Sequence, residues 1–277
     1  MTSRLSIRRY DRGELRPPTH DQVAVEEPLE LRVEGRSIAV VMRTPGHDRE
    51  LAAGFLLTEG IIKSAKDLFD ITSCVAPGGA GKGNAIDAAL AKPDLADLDK
   101  LTRHVFTSTS CGVCSKATIE AVIKRRKPLD DHVRVPASLL LSLPRKLATT
   151  QETFKTTGGL HACGLFDSRG KLIAAREDVG RHNALDKLIG WALLEHRTPL
   201  HGHIVLLSGR VSFEMMQKAH AAGIPIVAAI SAPTSLAVEF AQESAQTLAG
   251  FVRGRSLNIY AGAERIASRA GRARKVP

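Results

Sequence analysis

Across residues 27–44 apolar and polar positions alternate, with Leu29, Leu31 and Val33 before Glu34-Gly35 and Ile38, Val40 and Met42 after it. A period of two on both sides of a turn-forming pair predicts a β-hairpin. The period then lengthens. Over residues 51–62 apolar side chains recur at helical spacing, with Asp48 as the expected cap and Gly60 as the expected stop. Residues 68–75 and 85–90 read as two more strands around a glycine-rich loop, 77–83. That loop contains Gly81-Lys82-Gly83 but lacks the Ser or Thr that follows lysine in a phosphate-binding P-loop, so it reads as a hairpin tip.

Beyond residue 100 strands alternate with amphipathic helices, the pattern of a layered α/β domain. A strand is expected at 104–108 and a helix at 116–126, with Ile119, Ala121, Val122 and Ile123 inward. A hairpin is expected from 164–166 and 172–176 across the turn 167–170. Residues 183–196 predict a helix capped by Asn183, with Asp186 at its third position and Leu185, Leu188, Ile189, Ala192 and Leu193 on one stripe. Strand 203–207, helix 213–222, strand 226–230, helix 235–244 and strand 247–252 then follow in a β-α-β-α-β order that calls for a parallel sheet. The expected organisation is a small α+β unit over 21–102 and a larger α/β domain over 103–262, between basic ends at 1–20 and 263–277.

Composition adds limits. The chain has 277 residues, 43% hydrophobic and 25% charged, ordinary for a soluble globular protein. No apolar run approaches the roughly 20 residues that cross a bilayer, and no apolar leader follows Met1, so a cytoplasmic address is expected. The net charge of +10 would suggest nucleic acid if it were spread over the surface, but it is concentrated at the ends. Residues 1–18 carry five arginines against Asp11 and Glu14, and residues 265–277 carry Arg265, Arg269, Arg272, Arg274 and Lys275 unopposed. Such ends are expected to be disordered and solvated, and no aromatic residues interleave with them to stack on bases.

Cysteine usage carries the chemistry. Cys111 and Cys114 sit in Thr107-Ser-Thr-Ser-Cys-Gly-Val-Cys-Ser-Lys116, between an expected strand and an expected helix. A helix N-terminus and Lys116 favour thiolate there, and two intervening residues allow a disulfide or the passage of a persulfide between the sulfurs. Other readings stand beside this one: a thioredoxin-like redox pair without its usual Trp-Cys-Gly-Pro-Cys surroundings, half of a zinc site completed by His161 and Cys163, or inert buried thiols. Cys74 falls within an expected strand and reads as core, and Cys163, in Gly158-Gly-Leu-His-Ala-Cys-Gly164, reads as structural.

Anion chemistry is expected at strand ends. In parallel α/β sheets ligands collect at the carboxyl edge, where helix N-termini offer backbone amides. Strand 203–207 runs into Ser208, Gly209 and Arg210, and strand 226–230 runs into Ser231, Thr234 and Ser235. Strand 247–252 runs into Arg253, Gly254, Arg255 and Ser256, whose guanidiniums could grip phosphate. Arg181 and His182, at the mouth of the helix over 183–196, form a fourth contribution.

The segments TSCGVC, GGLHACGLFD, EDVGRHNALDK, LSGRVSFEMMQKA and SAPTSLAVEFA, with EEPLELRVEGR and MRTPGHDRELAAGFLLTEGII, resemble the formate dehydrogenase accessory sulfurtransferase family of FdhD type over residues 25–262. The resemblance implies a cytidine-deaminase-like three-layer α/β domain with a smaller N-terminal α+β domain, and a homodimer. It further implies that Cys111 takes sulfur as a persulfide from a cysteine desulfurase. That sulfur would go, by way of Cys114, to bis-molybdopterin guanine dinucleotide destined for formate dehydrogenase. A guanine nucleotide could mimic that ligand, and the family's cofactor-binding segment falls on Phe251, Val252, Arg253, Gly254, Arg255 and Ser256. Ser115 departs from the family, which usually has Gly after the second cysteine.

Two other functions follow from the same residues: a zinc-dependent deaminase-like hydrolase and a cofactor chaperone without sulfur transfer. Zinc deaminases place His-x-Glu before Pro-Cys-x-x-Cys. Here the cysteine pair comes first, Ser110 replaces the proline and Cys163 stands where the proton-shuttling glutamate would be, so no metal ligand is assigned.

Overall fold

The structure, a computed structural model, describes residues 1–74, 83–92 and 127–267. The expected strand at 104–108, the helix at 116–126, both cysteines of the pair and the last ten residues lie outside it. The N-terminal end corrects the expectation of disorder. β1 (Thr2–Ile7) pairs antiparallel with β4 (Thr19–Ala24), and β2 (Tyr10–Asp11) with β3 (Glu14–Leu15) beyond them. Arg16 is answered locally by Glu14 at 3.0 Å and Asp11 at 3.5 Å, and Arg12 and Gly13 take the positive φ angles of a two-residue hairpin turn. Charge composition therefore gave the wrong prediction, because backbone pairing and nearby carboxylates offset the arginines.

The hairpin of the alternating pattern is present as β5 (Glu27–Val33) and β6 (Arg36–Arg43), joined through Glu34 and Gly35, both at positive φ. The Gly35 amide donates to the Asp87 carboxylate at 3.0 Å. α1 (Asp48–Thr58) follows, with His47 at the cap position. Asp48 is not the cap: its carboxylate accepts two bonds from the Arg43 guanidinium, at 3.0 and 2.9 Å. β7 (Leu68–Cys74) and β8 (Ala85–Leu90) complete a sheet of order β6-β5-β8-β7, one face of which buries Leu29, Leu31, Val33, Ile71 and Ile86.

The larger domain begins with β9 (Val135–Pro136), α2 (Ala137–Thr150) and α3 (Glu152–Thr157), which the sequence reading passes over. Pro144 interrupts α2's apparent helical pattern, yet Leu140, Leu143 and Leu147 keep helical spacing and are fully buried. β10 (His161–Phe166) and β11 (Leu172–Asp178) form the expected hairpin. α4 (Arg181–Leu194) starts earlier than predicted. Asn183 lies inside it, and its amide donates to Met42 O at 2.7 Å and to Asp178 Oδ1 at 3.0 Å. β12 (Ile204–Leu207), α5 (Phe213–Ala221), β13 (Ile226–Ala229), α6 (Ser235–Glu243) and β14 (Thr247–Arg253) realise the β-α-β-α-β succession, followed by β15 (Ser256–Ala261) and β16 (Ile266–Ala267).

The six-stranded sheet has the order β11-β10-β12-β13-β14-β15. β12, β13 and β14 are parallel neighbours; β10 on one side and β15 on the other pair antiparallel with them, and β11 returns from β10 through a hairpin at the edge. Cys163, Leu165, Val205, Leu207, Val227 and Leu248 face α4, α5 and α6, whereas Ala162, Phe166, Ile204, Leu206, Ile226 and Val252 face α2. The result is a three-layer α/β domain beside a smaller α+β unit, the fold class expected.

The two units meet where α1 crosses α4. A Cβ on Gly190 would lie 1.7 Å from Glu50 O, and one on Gly54 would lie 1.9 Å from Asp186 O, so backbone touches backbone. Two buried ion pairs flank the crossing. Asp178 pairs with Lys187 at 2.7 Å and accepts from the Thr44, Gly180 and Asn183 donors; Asp186 pairs with Lys218 at 2.8 Å and accepts from Thr58 Oγ1. A third pair, nearer the surface, joins Glu50 of α1 to Arg176 of β11, with Nη2 to Oε1 at 2.7 Å.

Two outcomes follow. Gly190→Ala should destabilise the protein by about 3 kcal/mol or more, or prevent folding, since neither backbone can yield; urea unfolding checks this. Burial works against ionisation of Glu50, but Arg176 and His47 hold its carboxyl down to about 2. A depressed carboxyl gives stability that is full above its unfolded value near 4.5 and is lost as pH falls towards about 2. Glu50→Gln should therefore flatten the stability-pH curve between those limits in acid unfolding series.

Candidate functional site

Because β12, β13 and β14 are parallel neighbours, their carboxyl ends share one edge of the sheet. Ser208 fastens this edge to β10: its amide donates to Ala162 O at 3.0 Å and its Oγ accepts from the Ala162 amide at 2.9 Å. The loops after the three strands are joined in turn. The Val211 amide donates to Ala232 O, the Thr234 amide to Val211 O, and the Phe251 amide to Ser231 O, all within 3.0–3.1 Å. Strand-end loops held this way present their remaining polar groups from a fixed frame.

The expected anion residues divide into distinct environments. Gly209 lies beside His161 and Arg181: a Cβ there would sit 3.1 Å from His161 Nδ1 and 3.7 Å from Arg181 Cδ. Arg181, the first residue of α4, has a buried Nε with no hydrogen-bond partner, and Arg210 is exposed. Thr234 Oγ1 caps α6 by accepting from the Ala237 amide at 3.4 Å, and Ser235 is exposed in the first turn. Arg253, Gly254, Arg255 and Ser256 are exposed at the β14–β15 turn, with the Arg253 guanidinium 5.3 Å from the centre of the half-buried Phe251 ring.

Two expected ligand residues are placed elsewhere. Val252 is fully buried beneath α2, because the irregularity of β14 between Gly250 and Arg253, with Phe251 at positive φ, brings it onto the same face as Ala249. His182 is buried with Nε2 at 2.8 Å from Glu214 Oε2 and 3.4 Å from Ser212 Oγ, so its ring is engaged within the protein. Asp178, Asn183 and Lys187, from the same EDVGRHNALDK segment, are likewise spent on holding α4 to the N-terminal unit.

A cavity of about 450 Å3 lies at this edge, lined by Gln151, Phe154, Gly158, Gly159, Leu160, His161, Ser208 and Ile230. It joins the ends of β12 and β13 to the start of β10 and to the junction of α2 with α3. The Glu177 carboxylate of β11 accepts from the Thr153 and Phe154 amides at 3.1 and 2.9 Å, which fixes α3 over the cavity. Burial, then Arg181, His182 and Arg210, hold the His161 imidazole below its usual range against the pull of Asp178. Both effects favour the uncharged imidazole over the imidazolium.

Sequence reasoning considered His161 only as a zinc ligand and missed Gln151 and Phe154 altogether. The glycines before His161 were the available signal for the first; nothing local marks the other two. Cys163 faces the core under α4, and burial, with Asp186 and Asp178 nearby, pushes its thiol up. That suits the structural role expected for it and opposes thiolate ligation. Cys74 is half-buried at the end of β7. Among the described residues no three His, Cys, Asp or Glu side chains come together as a metal site. Cys111 and Cys114 lie outside the described residues.

Comparisons with known proteins agree on one family. The FdhD/NarQ family model matches residues 24–267. A sulfur carrier protein FdhD from Mycolicibacterium paratuberculosis is 49% identical over 276 residues, covering 96% of this chain and 99% of that one. The sulfur carrier protein FdhD of Streptomyces coelicolor is 49% identical over 259 residues, covering 90% of each chain. A crystal structure of a protein assigned as a formate dehydrogenase accessory protein from Desulfotalea psychrophila superposes with a TM-score of 0.75 at 27% identity, over 96% of this chain and 99% of that one.

The cationic surroundings of His161 can be measured. In an NMR pH series its ring should titrate below 6.5, and Arg210→Ala should move the midpoint upward, since losing a neighbouring cation favours imidazolium. An unchanged midpoint would separate Arg210 from the cavity.

Proposed function

The chain belongs to the FdhD/NarQ family, and from that membership we propose that it is a sulfur carrier serving formate dehydrogenase. In this reading it takes sulfur from a cysteine desulfurase as a persulfide on Cys111. It passes that sulfur, by way of Cys114, to bis-molybdopterin guanine dinucleotide held at the carboxyl edge of β12, β13 and β14. It works in the cytoplasm as a homodimer. Among the described residues no helix is long and apolar enough to cross a membrane.

The observation that carries the ligand half of this reading is the partnerless, buried Arg181 Nε beside Gly209, with Arg210 next in the loop and Arg253 and Arg255 two strands away. A buried guanidinium nitrogen without an acceptor is unfavourable unless an external acceptor meets it, and phosphate oxygens are the usual partners of such a fork. Phosphates spaced along a dinucleotide would meet the loop after β12 and the β14–β15 turn, which lie along one edge.

The sulfur half follows from thiol chemistry. The Cys111 thiolate attacks the outer sulfur of the donor's persulfide, forming a new S–S bond while the donor cysteine leaves as thiolate. Exchange of the same kind moves the outer sulfur to Cys114. Delivery as sulfide balances when the remaining thiolate closes the Cys111–Cys114 disulfide, releasing hydrosulfide. An external dithiol then restores the two electrons.

Intact mass after incubation with a cysteine desulfurase and cysteine should show one added sulfur, lost in Cys111→Ala. Arg253→Ala should weaken GDP binding by roughly tenfold in calorimetry, about the worth of one charge-assisted phosphate contact. Unchanged loading in the cysteine variant would remove the carrier assignment, and unchanged affinity would remove the turn from the ligand site.

A further inference from the structure

Residues 1–24 form a two-stranded ribbon that stands away from the body of the protein. The β1–β4 pairing leads into β2 and β3 through the Arg16 amide, which donates to Arg9 O at 2.8 Å. The stretch from Thr2 to Arg12 covers roughly 30 Å when extended. Of residues 1–23 all but Ile7 are exposed, the apolar side chains of Met1, Leu5, Tyr10, Leu15 and Val23 included. Tyr10 stands opposite Leu15 at the tip, 71% and 57% exposed, and Leu5 shares a face of the stem with Val23. A two-stranded ribbon with no packed face is marginal in water, so these side chains mark a surface that a partner covers.

Charge indicates which partner. Arg16 is taken by Asp11 and Glu14, but among the described residues Arg4, Arg8, Arg9 and Arg12 have no carboxylate partner. Exposed arginines around a tyrosine are the usual anchors of a protein interface, and here they call for an acidic surface. A second copy is a poor occupant, since this chain itself carries +10. A phosphate backbone is a poor one too, since Asp11 and Glu14 stand among the arginines and repel it. The root of the ribbon fixes where the partner comes to lie. β4 rests on α3, and a Cβ on Gly159 would be 3.6 Å from Ala24 Cβ. Phe154, Gly158 and Gly159, at that root, also wall the 450 Å3 cavity.

We propose that the ribbon is an arm that docks an acidic surface of the protein receiving the ligand, which in the reading above is formate dehydrogenase. The proposal rests on that reading and adds the place at which the recipient is held. The test immobilises formate dehydrogenase lacking its cofactor and follows binding of the full chain by interferometry at low and high salt. Arg8→Glu/Arg9→Glu/Arg12→Glu should associate about tenfold more slowly or worse at low salt, with the difference shrinking at high salt. Tyr10→Ala/Leu15→Ala should dissociate about tenfold faster at either salt. GDP affinity and persulfide loading, which do not involve the arm, should be unchanged in both variants. Unchanged dehydrogenase binding by both variants, or none by the wild type, overturns the proposal. So does a change from dimer to monomer in light scattering of either variant, which would make a second copy the occupant. Loss of duplex DNA binding by the arginine variant with dehydrogenase binding intact overturns it as well. If the arm fails while the wild type still binds GDP, the cofactor reading stands; a wild type that binds the dehydrogenase through the arm but not GDP removes the ligand half of that reading alone.

Discussion

At the crossing of α1 and α4 two glycines remove the side chains that would keep the helices about 8–10 Å apart. Gly54 and Gly190 let backbone meet backbone, and the Asp178–Lys187 and Asp186–Lys218 pairs are buried around that contact. Burial opposes the ammonium of Lys218, but Asp186 and Glu59 hold it above the usual lysine range. Each charge has several partners, so the geometry is over-determined. Removing one member would leave the other buried and alone, at about 3–5 kcal/mol. The remaining structure is referred to this joint, because it is the contact through which the N-terminal unit fixes the first turn of α4.

The candidate site inherits that rigidity. Arg181 is the first residue of α4, and its backbone follows Asp178 and Gly180, whose hydrogen bonds tie them to Thr44 and Asn183. Gly209 faces the Arg181 side chain from the end of β12, and Ser208 clamps β12 to β10 beside His161. Polar groups that look like ligands in the sequence are thus of two kinds. Those with partners inside the protein hold the frame, whereas Arg181 Nε, at the strand-end edge beside Gly209, is buried without one. The distinction rests on hydrogen-bond satisfaction and not on residue type.

Much of the architecture was legible in local pattern. Alternation gave the β5–β6 hairpin and its turn at Glu34-Gly35, and the β-α-β-α-β succession gave the parallel centre of the sheet and hence the shared edge carrying Ser208, Ser231 and Arg253. Where the reading failed, a distant partner had intervened. Asp48 and Asn183 looked like helix caps but are engaged by Arg43 and by Met42 and Asp178. The arginine-rich first residues looked disordered until strand pairing between β1 and β4 was seen. α2 was hidden by Pro144, although its leucines fill the far face of the sheet.

The amino-acid sequence by itself determined the class of fold, the β-α-β-α-β succession at the centre of the larger sheet, and the resemblance that names sulfur chemistry on Cys111 and Cys114, since periodicity and motif order are properties of the chain alone. Tertiary structure decided which polar residues remain free for a ligand. Whether the imidazole of His182 or the guanidinium of Arg181 is satisfied depends on groups far away in the chain. No local pattern encodes their distance, because burial and hydrogen-bond partnership exist only once the layers have packed.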